Sequence, residues 1–153
     1  MGSRFVERGG SWLLAQMPLM LAAIILAPLL GSLADAALRI AAIAMVIAGI
    51  LLVAWSRATL GRSFTPFPRP VDEGNQVSTG PYRFVRHPIY SAVVLALAGW
   101  ALLWQSAVAG ALVAALAILF DFKARREEAW LAQAYEGYAG YRRRVRKFIP
   151  LVY

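Results

Sequence analysis

The sequence predicts an all-α polytopic membrane protein with four transmembrane helices and a cytosolic C-terminal helical segment, forming one domain over residues 1–153. Three observations carry that expectation. The chain is 60% hydrophobic with a mean hydropathy of +0.59, more apolar than an ordinary soluble domain. Only 16% of its residues are charged, and these cluster instead of spreading along the chain. Between the clusters lie uncharged runs long enough to cross a hydrocarbon core.

Residues 1–8 are polar, with Arg4 and Arg8. From Gly9 to Ala34 there is no charge, and a helix over 11–30 rises about 30 Å, a membrane thickness. Pro18 and Pro28 are expected to bend or end it. A cleaved signal peptide is the rival reading, because Ala34-Asp35-Ala36 resembles a small-residue cleavage site, but the apolar run is long for a signal core. A second helix follows over 37–56, with Arg39 near its start, Arg57 just past its end, and Gly49 placed to let a neighbouring helix approach.

Composition then changes. The connector 57–87 is polar and carries Pro66, Pro68, Pro70, Gly74 and Gly80. It is long for a loop in a compact domain, as functional or disordered loops are, and its Asp72-Glu73-Gly74-Asn75 run reads as a solvated turn. Pro88 to Phe120 is again uncharged. A single helix of that length would be about 50 Å, too long for one span. A break at Trp104-Gln105-Ser106 divides it into spans 88–104 and 106–122, a tight hairpin with Trp100 and Trp104 in an interfacial belt. The tail 123–153 continues the fourth helix out of the membrane. Trp130, Tyr135, Tyr138 and Tyr141 recur near helical spacing there, and Arg142-Arg143-Arg144-Val145-Arg146-Lys147 forms a basic tract suited to an anionic lipid surface.

With four spans, both termini and the connector share one side, and of 16 Lys and Arg residues Arg39 alone falls on the other. The positive-inside rule makes the basic side cytoplasmic. The net charge of +8 is thus accounted for by membrane-flanking segments and does not call for nucleic acid. Absence of cysteine excludes disulfides and thiolate chemistry, and a single histidine cannot build a histidine-rich metal site, so no metal is expected.

Two segments carry chemistry, and the hairpin brings them to the same mouth. One, Gly80 to Tyr90, packs Arg83, Arg86, His87 and two tyrosines around Pro81 and Pro88. Pro88 suits the first position of a helix, whose free N–H groups favour an anion. The other holds Glu127 and Glu128, which point about 100° apart on a helix and so cannot do the same job. One turns into the bundle, the other outward toward Lys123 or Arg125. Taken singly, the arginines read as the wet end of a membrane helix and the glutamates as surface ion-pair partners worth under about 1 kcal/mol; their joint placement argues for a site.

The motif Thr79-Gly80-Pro81-Tyr82-Arg83-Phe84-Val85-Arg86-His87-Pro88-Ile89-Tyr90, followed by Glu127-Glu128 with Leu131, then Tyr138, Tyr141 and Ile149-Pro150, resembles the isoprenylcysteine carboxyl methyltransferase family. Phospholipid methyltransferases are similar over the same region, about 60–153. The resemblance implies an enzyme dependent on S-adenosylmethionine, enclosing the cofactor on the cytosolic side and taking a lipidic or prenylated acceptor, most simply a carboxylate, from the membrane lipids around it. Carried onto this chain, it implies catalytic roles for Arg86 and Glu128 and cofactor contacts from Tyr82, His87, Pro88, Tyr90, Glu127 and Glu128. Lys123 sits where eukaryotic members tend to have arginine. Two rivals remain: an NADPH-dependent membrane reductase of the sterol-reductase type, which shares an Arg-His-Pro-like turn, and a non-enzymatic lipid-binding scaffold.

Overall fold

The computed structural model describes residues 9–67, 69 and 74–153. Residues 1–8, with their two arginines, and Asp72-Glu73 of the expected solvated turn lie outside the described residues. Everything described is helix, turn or irregular chain. Helix α1 spans Gly10–Leu30, α2 Ala36–Leu60, α3 Pro88–Leu103, α4 Ala107–Ala134 and α5 Tyr138–Arg144. Short 3₁₀ turns occupy Gly61–Ser63 and Gly80–Arg83. The described residues form no strand, only an isolated parallel bridge between Val85 and Arg146.

Among the described residues, three helices are long and apolar enough to cross a membrane: α1, α2 with the turn that extends it to Ser63, and α4. Helix α3 is apolar but has only 16 residues, about 24 Å of rise. Neither Pro18 nor Pro28 ends α1, which runs through both, so that part of the proline expectation is corrected. Each proline removes one N–H, and packing against neighbouring helices tolerates that loss in an apolar setting.

Side-chain pairs fix how the helices run. Tyr90 stacks on Phe120 at a ring separation of 4.6 Å, Leu97 clusters with Val113, and Ala101 with Ala109, so α3 and α4 are antiparallel. The break between them falls at Trp104–Ser106, where Gln105 adopts a positive φ of 44° and the Ser106 hydroxyl caps α4 by accepting from Ala109 N–H. Helix α1 lies antiparallel to α4, Gln16 meeting Lys123 at one end and Ala27 packing near Ala109 at the other. Helices α2 and α3 approach closely: a Cβ on Gly49 would stand 2.7 Å from the Ala92 carbonyl and from the Ala96 Cβ, and one on Gly99 2.8 Å from the Ala42 carbonyl.

The α2–α3 contact is therefore built from small residues, while large side chains such as Leu14, Leu29, Ile40 and Ile50 project outward from α1 and α2. An outward apolar face on helices of this length suits hydrocarbon. The ends of α1 and α2 near Gln16 and Leu60, the start of α3 and the polar half of α4 all gather at one end of the bundle. At the opposite end, Trp100 and Trp104 meet edge to face at 5.9 Å, and the Trp100 indole donates to the Ile24 carbonyl. Among the described lysines and arginines, Arg39 is the one held at that opposite end, its guanidinium donating to the Ala34 carbonyl at 3.0 Å.

Candidate active site

The site forms where the C-terminal segment folds back on the turn before α3. Gly80, with φ of 56°, opens that turn against the end of α2, so close that a Cβ there would lie 2.8 Å from the Thr59 hydroxyl. The backbone N–H groups of Arg86 and His87 then donate to the carbonyls of Arg146 and Lys147 at 2.8 and 3.0 Å, and the Tyr141 hydroxyl donates to the Tyr82 carbonyl at 2.6 Å. Ser91 completes the join by donating to the Phe148 carbonyl. These bonds correct one expectation. The mouth of α3 does not present a row of free N–H groups to an anion: Arg86 and His87 are paired with the tail, and Tyr90 and Ser91 N–H both turn back to the His87 carbonyl.

Glu128 is the hub. It is 2% exposed, yet its carboxylate is well served. Oε1 accepts from Arg86 Nε at 2.8 Å and faces His87 Nε2 at 3.0 Å, while Oε2 pairs with Arg142 Nε at 3.2 Å. A carboxylate accepts only, so this contact puts a proton on Nε2 of His87. Burying a charge at this cost is tolerated only with such donors around it. Arg86 also donates from Nη1 to the carbonyls of Arg142 and Val145, which leaves Nη2 as its nitrogen without a hydrogen bond among the described residues.

Glu127 turns to the neighbouring cavity, where its Oε2 accepts from the Tyr90 hydroxyl at 2.7 Å and lies 3.8 Å from His87 Nδ1. The Tyr90 ring is parallel to the His87 imidazole, with ring centroids 5.4 Å apart. The glutamates thus divide their work as their helical spacing requires, but neither pairs with Lys123 or Arg125. Arg125 bonds Asp121 on its own helix at 2.7 Å. Lys123, 2% exposed, donates to Gln16 of α1 at 2.7 Å and to the Pro66 carbonyl of the connector at 3.2 Å.

A cavity of about 220 Å³ opens beside this constellation. Of the residues singled out by sequence, Tyr82, Arg86, His87, Tyr90 and Glu127 line it. Pro88 does not. It is fully buried and serves as the first residue of α3. Glu128 does not line it either and instead faces a second cavity that shares Arg86 with the first. Arg83 is exposed, its guanidinium lying 5.2 Å from the Phe84 ring.

The tail contributes tyrosines that sequence reasoning placed by helical spacing and, for Tyr138 and Tyr141, in a motif. Tyr135, Tyr138 and Tyr141 all line the first cavity. Tyr138 is 3% exposed, and its hydroxyl has no hydrogen-bond partner among the described residues. Burial pushes the Tyr82, Tyr138 and Tyr141 phenols well above their ordinary value, and nearby glutamates push in the same direction. All three stay neutral donors at ordinary pH. Gln16 and the connector residues Phe64–Pro66 and Asn75–Val77 also reach the cavity. Gln16 carries the one side-chain amide in the uncharged run 9–34, a polar group in an apolar helix that was a legible signal. The connector residues had no comparable mark beyond the length of their loop.

Among curated proteins, the chain is similar to the cobalt-zinc-cadmium resistance protein CzcN of Cupriavidus metallidurans, 34% identical over 97 residues. That stretch is 62% of this chain and 45% of CzcN, so the alignment spans less than half of that relative. The profile described as phospholipid methyltransferase matches residues 38–137, a span that holds the turn before α3, the hairpin and both glutamates. The ion-pair hub joining Arg86 and His87 to Glu128 therefore lies within the matched region, and this chain belongs to the phospholipid methyltransferase family.

Proposed function

We propose that the protein is an S-adenosylmethionine-dependent methyltransferase acting on a lipidic or prenylated acceptor, most simply a carboxylate, at the cytosolic face of a membrane. Family membership supports methyl transfer in a membrane setting. The observation that carries the finer reading is the first cavity, where an acidic group, an imidazole, a guanidinium and a ring of tyrosines converge beside apolar helices.

The lining fits the cofactor. A buried phenol without a partner, Tyr138, is the kind of group a ligand completes, because such a hydroxyl is costly to leave unmade. Glu127, at the cavity edge, suits an ammonium or ribose hydroxyls, and the Tyr82 and Tyr90 rings suit adenine or a cation. Bound there, S-adenosylmethionine supplies an electrophilic methyl group on a sulfonium.

The chain's own residues hold and orient. Glu128 fixes the Arg86 guanidinium through Nε, the tail carbonyls fix it through Nη1, and Nη2 is left to grip an acceptor carboxylate. A carboxylate acceptor gives up no proton, so His87 needs no role as a base; its imidazole N–H is committed to Glu128 and it serves as a wall of the cavity. Much of the catalysis is then positioning. Helix α3, though short, spans as the fourth transmembrane segment in this reading, and both termini face the cytoplasm.

The test is a screen of isotopically labelled methyl incorporation into total membrane lipid and into small prenylcysteine mimics by the purified protein. Label is expected in an extractable lipidic product as a base-labile ester. Label confined to an amine product would overturn the carboxylate acceptor, and no incorporation into either pool would overturn the reading.

A further inference from the structure

We propose that the second cavity, which shares only Arg86 with the methyl-transfer cavity, is a phosphate-binding site. It measures about 370 Å³ and is lined by Arg86, Arg125, Arg142, Arg146 and Lys147, with Glu128 as its acidic member. The carboxylates in contact with these cations are Glu128, shared by Arg86 and Arg142, and Asp121, shared by Arg125 and Lys147. Five cations against two side-chain carboxylates leave the concavity with a net positive charge.

The fold holds these charges together at a cost. Arg142–Lys147 is no loose basic tail, because residues 146 and 147 are hydrogen-bonded through their carbonyls to the turn before α3. Lys147 is 7% exposed and Arg86 is mostly buried, and both are already paired at the floor. The Arg146 side chain has no hydrogen bond or ion pair among the described residues, and Arg142 and Arg125 keep exposed guanidinium groups at the rim. Several guanidinium forks around one hollow match the tetrahedral oxygens and multiple charge of a phosphate better than a single carboxylate.

The phosphate group can arrive free or on a lipid. The rim has apolar character that favours the second: Val152 is 70% exposed, and Phe122, 56% exposed, lies against Arg125.

The experiment follows the melting temperature of the detergent-purified full chain at matched ionic strength. Inorganic phosphate is compared with chloride, and short-chain phosphatidic acid with the corresponding diacylglycerol. Stabilisation by both phosphate probes assigns the site to the phosphate group itself, by phosphatidic acid alone to a lipid headgroup, and by inorganic phosphate alone to a soluble ligand. In each case Arg146→Gln and Arg125→Gln weaken the apparent affinity about tenfold, the loss expected for one charge-assisted contact. Both variants keep the wild-type response to S-adenosylmethionine, so this proposal and the methyltransferase reading fail separately. No shift with either probe, or a shift that both variants retain, overturns the site.

Discussion

At the scale of single residues, the Arg86–Glu128 pair decides the account. Glu128→Gln keeps the shape of the side chain but removes the charge that fixes Arg86 and His87. Labelled-methyl turnover is expected to fall at least about a hundredfold with the helical circular dichroism unchanged, because misorienting a positioning group costs that much. Arg86→Ala should do the same and also lower the melting temperature, since Glu128 loses one of its donors. Wild-type turnover in both variants would remove them from the mechanism. That the segments holding Arg86 and Glu128 meet was legible in sequence from two motifs and a hairpin. Neither the hydroxyl of Tyr138 nor the pairing of Lys123 with Gln16 was, because each depends on where a distant segment lands.

The buried tyrosines give a pH dependence. Tyr82, Tyr138 and Tyr141 have folded-state values raised above the unfolded one near 10. Above that pH the unfolded chain loses protons that the folded chain keeps, so stability is full below about pH 10 and falls as pH rises further. The melting temperature should decline with increasing pH above 10, and phenolate absorbance should appear together with unfolding. Phenolate from these three residues in a still-folded protein would contradict their burial.

Among the elements, helix packing by small residues sets the bundle. A methyl group on Gly49 would meet the Ala92 carbonyl and Ala96, whereas at Gly110, inside α4, nothing stands within 4 Å. Gly49→Ala is expected to lower stability by about 1–3 kcal/mol through overpacking, and Gly110→Ala to raise it by up to about 1 kcal/mol through helix propensity. Comparing the two melting temperatures in one detergent checks the α2–α3 interface directly. Close approach at Gly49 was readable in sequence as a small residue in an apolar helix, and the break at Trp104–Ser106 from length alone. Continuity of α1 through Pro18 and Pro28 was not, because neighbouring helices outweigh a local propensity. Nor was the closing of the α3 mouth, which comes from a tail segment more than fifty residues away in sequence pairing with the turn.

For the molecule as a whole, uncharged runs and charge clustering revealed a helical membrane protein with its basic groups at one end. The structure adds how that end is enclosed. Tail and connector residues both line the first cavity there, and the polar half of α4 supplies its acid, Glu127. Sequence placed the acidic and basic segments at a common mouth but could not show that the Arg86–Glu128 pair would stand between two cavities. The central claim is that the first cavity holds S-adenosylmethionine. Its most direct test is the melting temperature of the detergent-solubilised protein with S-adenosylmethionine and with NADPH, because a ligand bound only to the folded state stabilises it by about 2.7 kcal/mol at a hundredfold excess over its Kd. The account predicts a saturable rise with S-adenosylmethionine and none with NADPH; a rise with NADPH alone, or with neither, would contradict it.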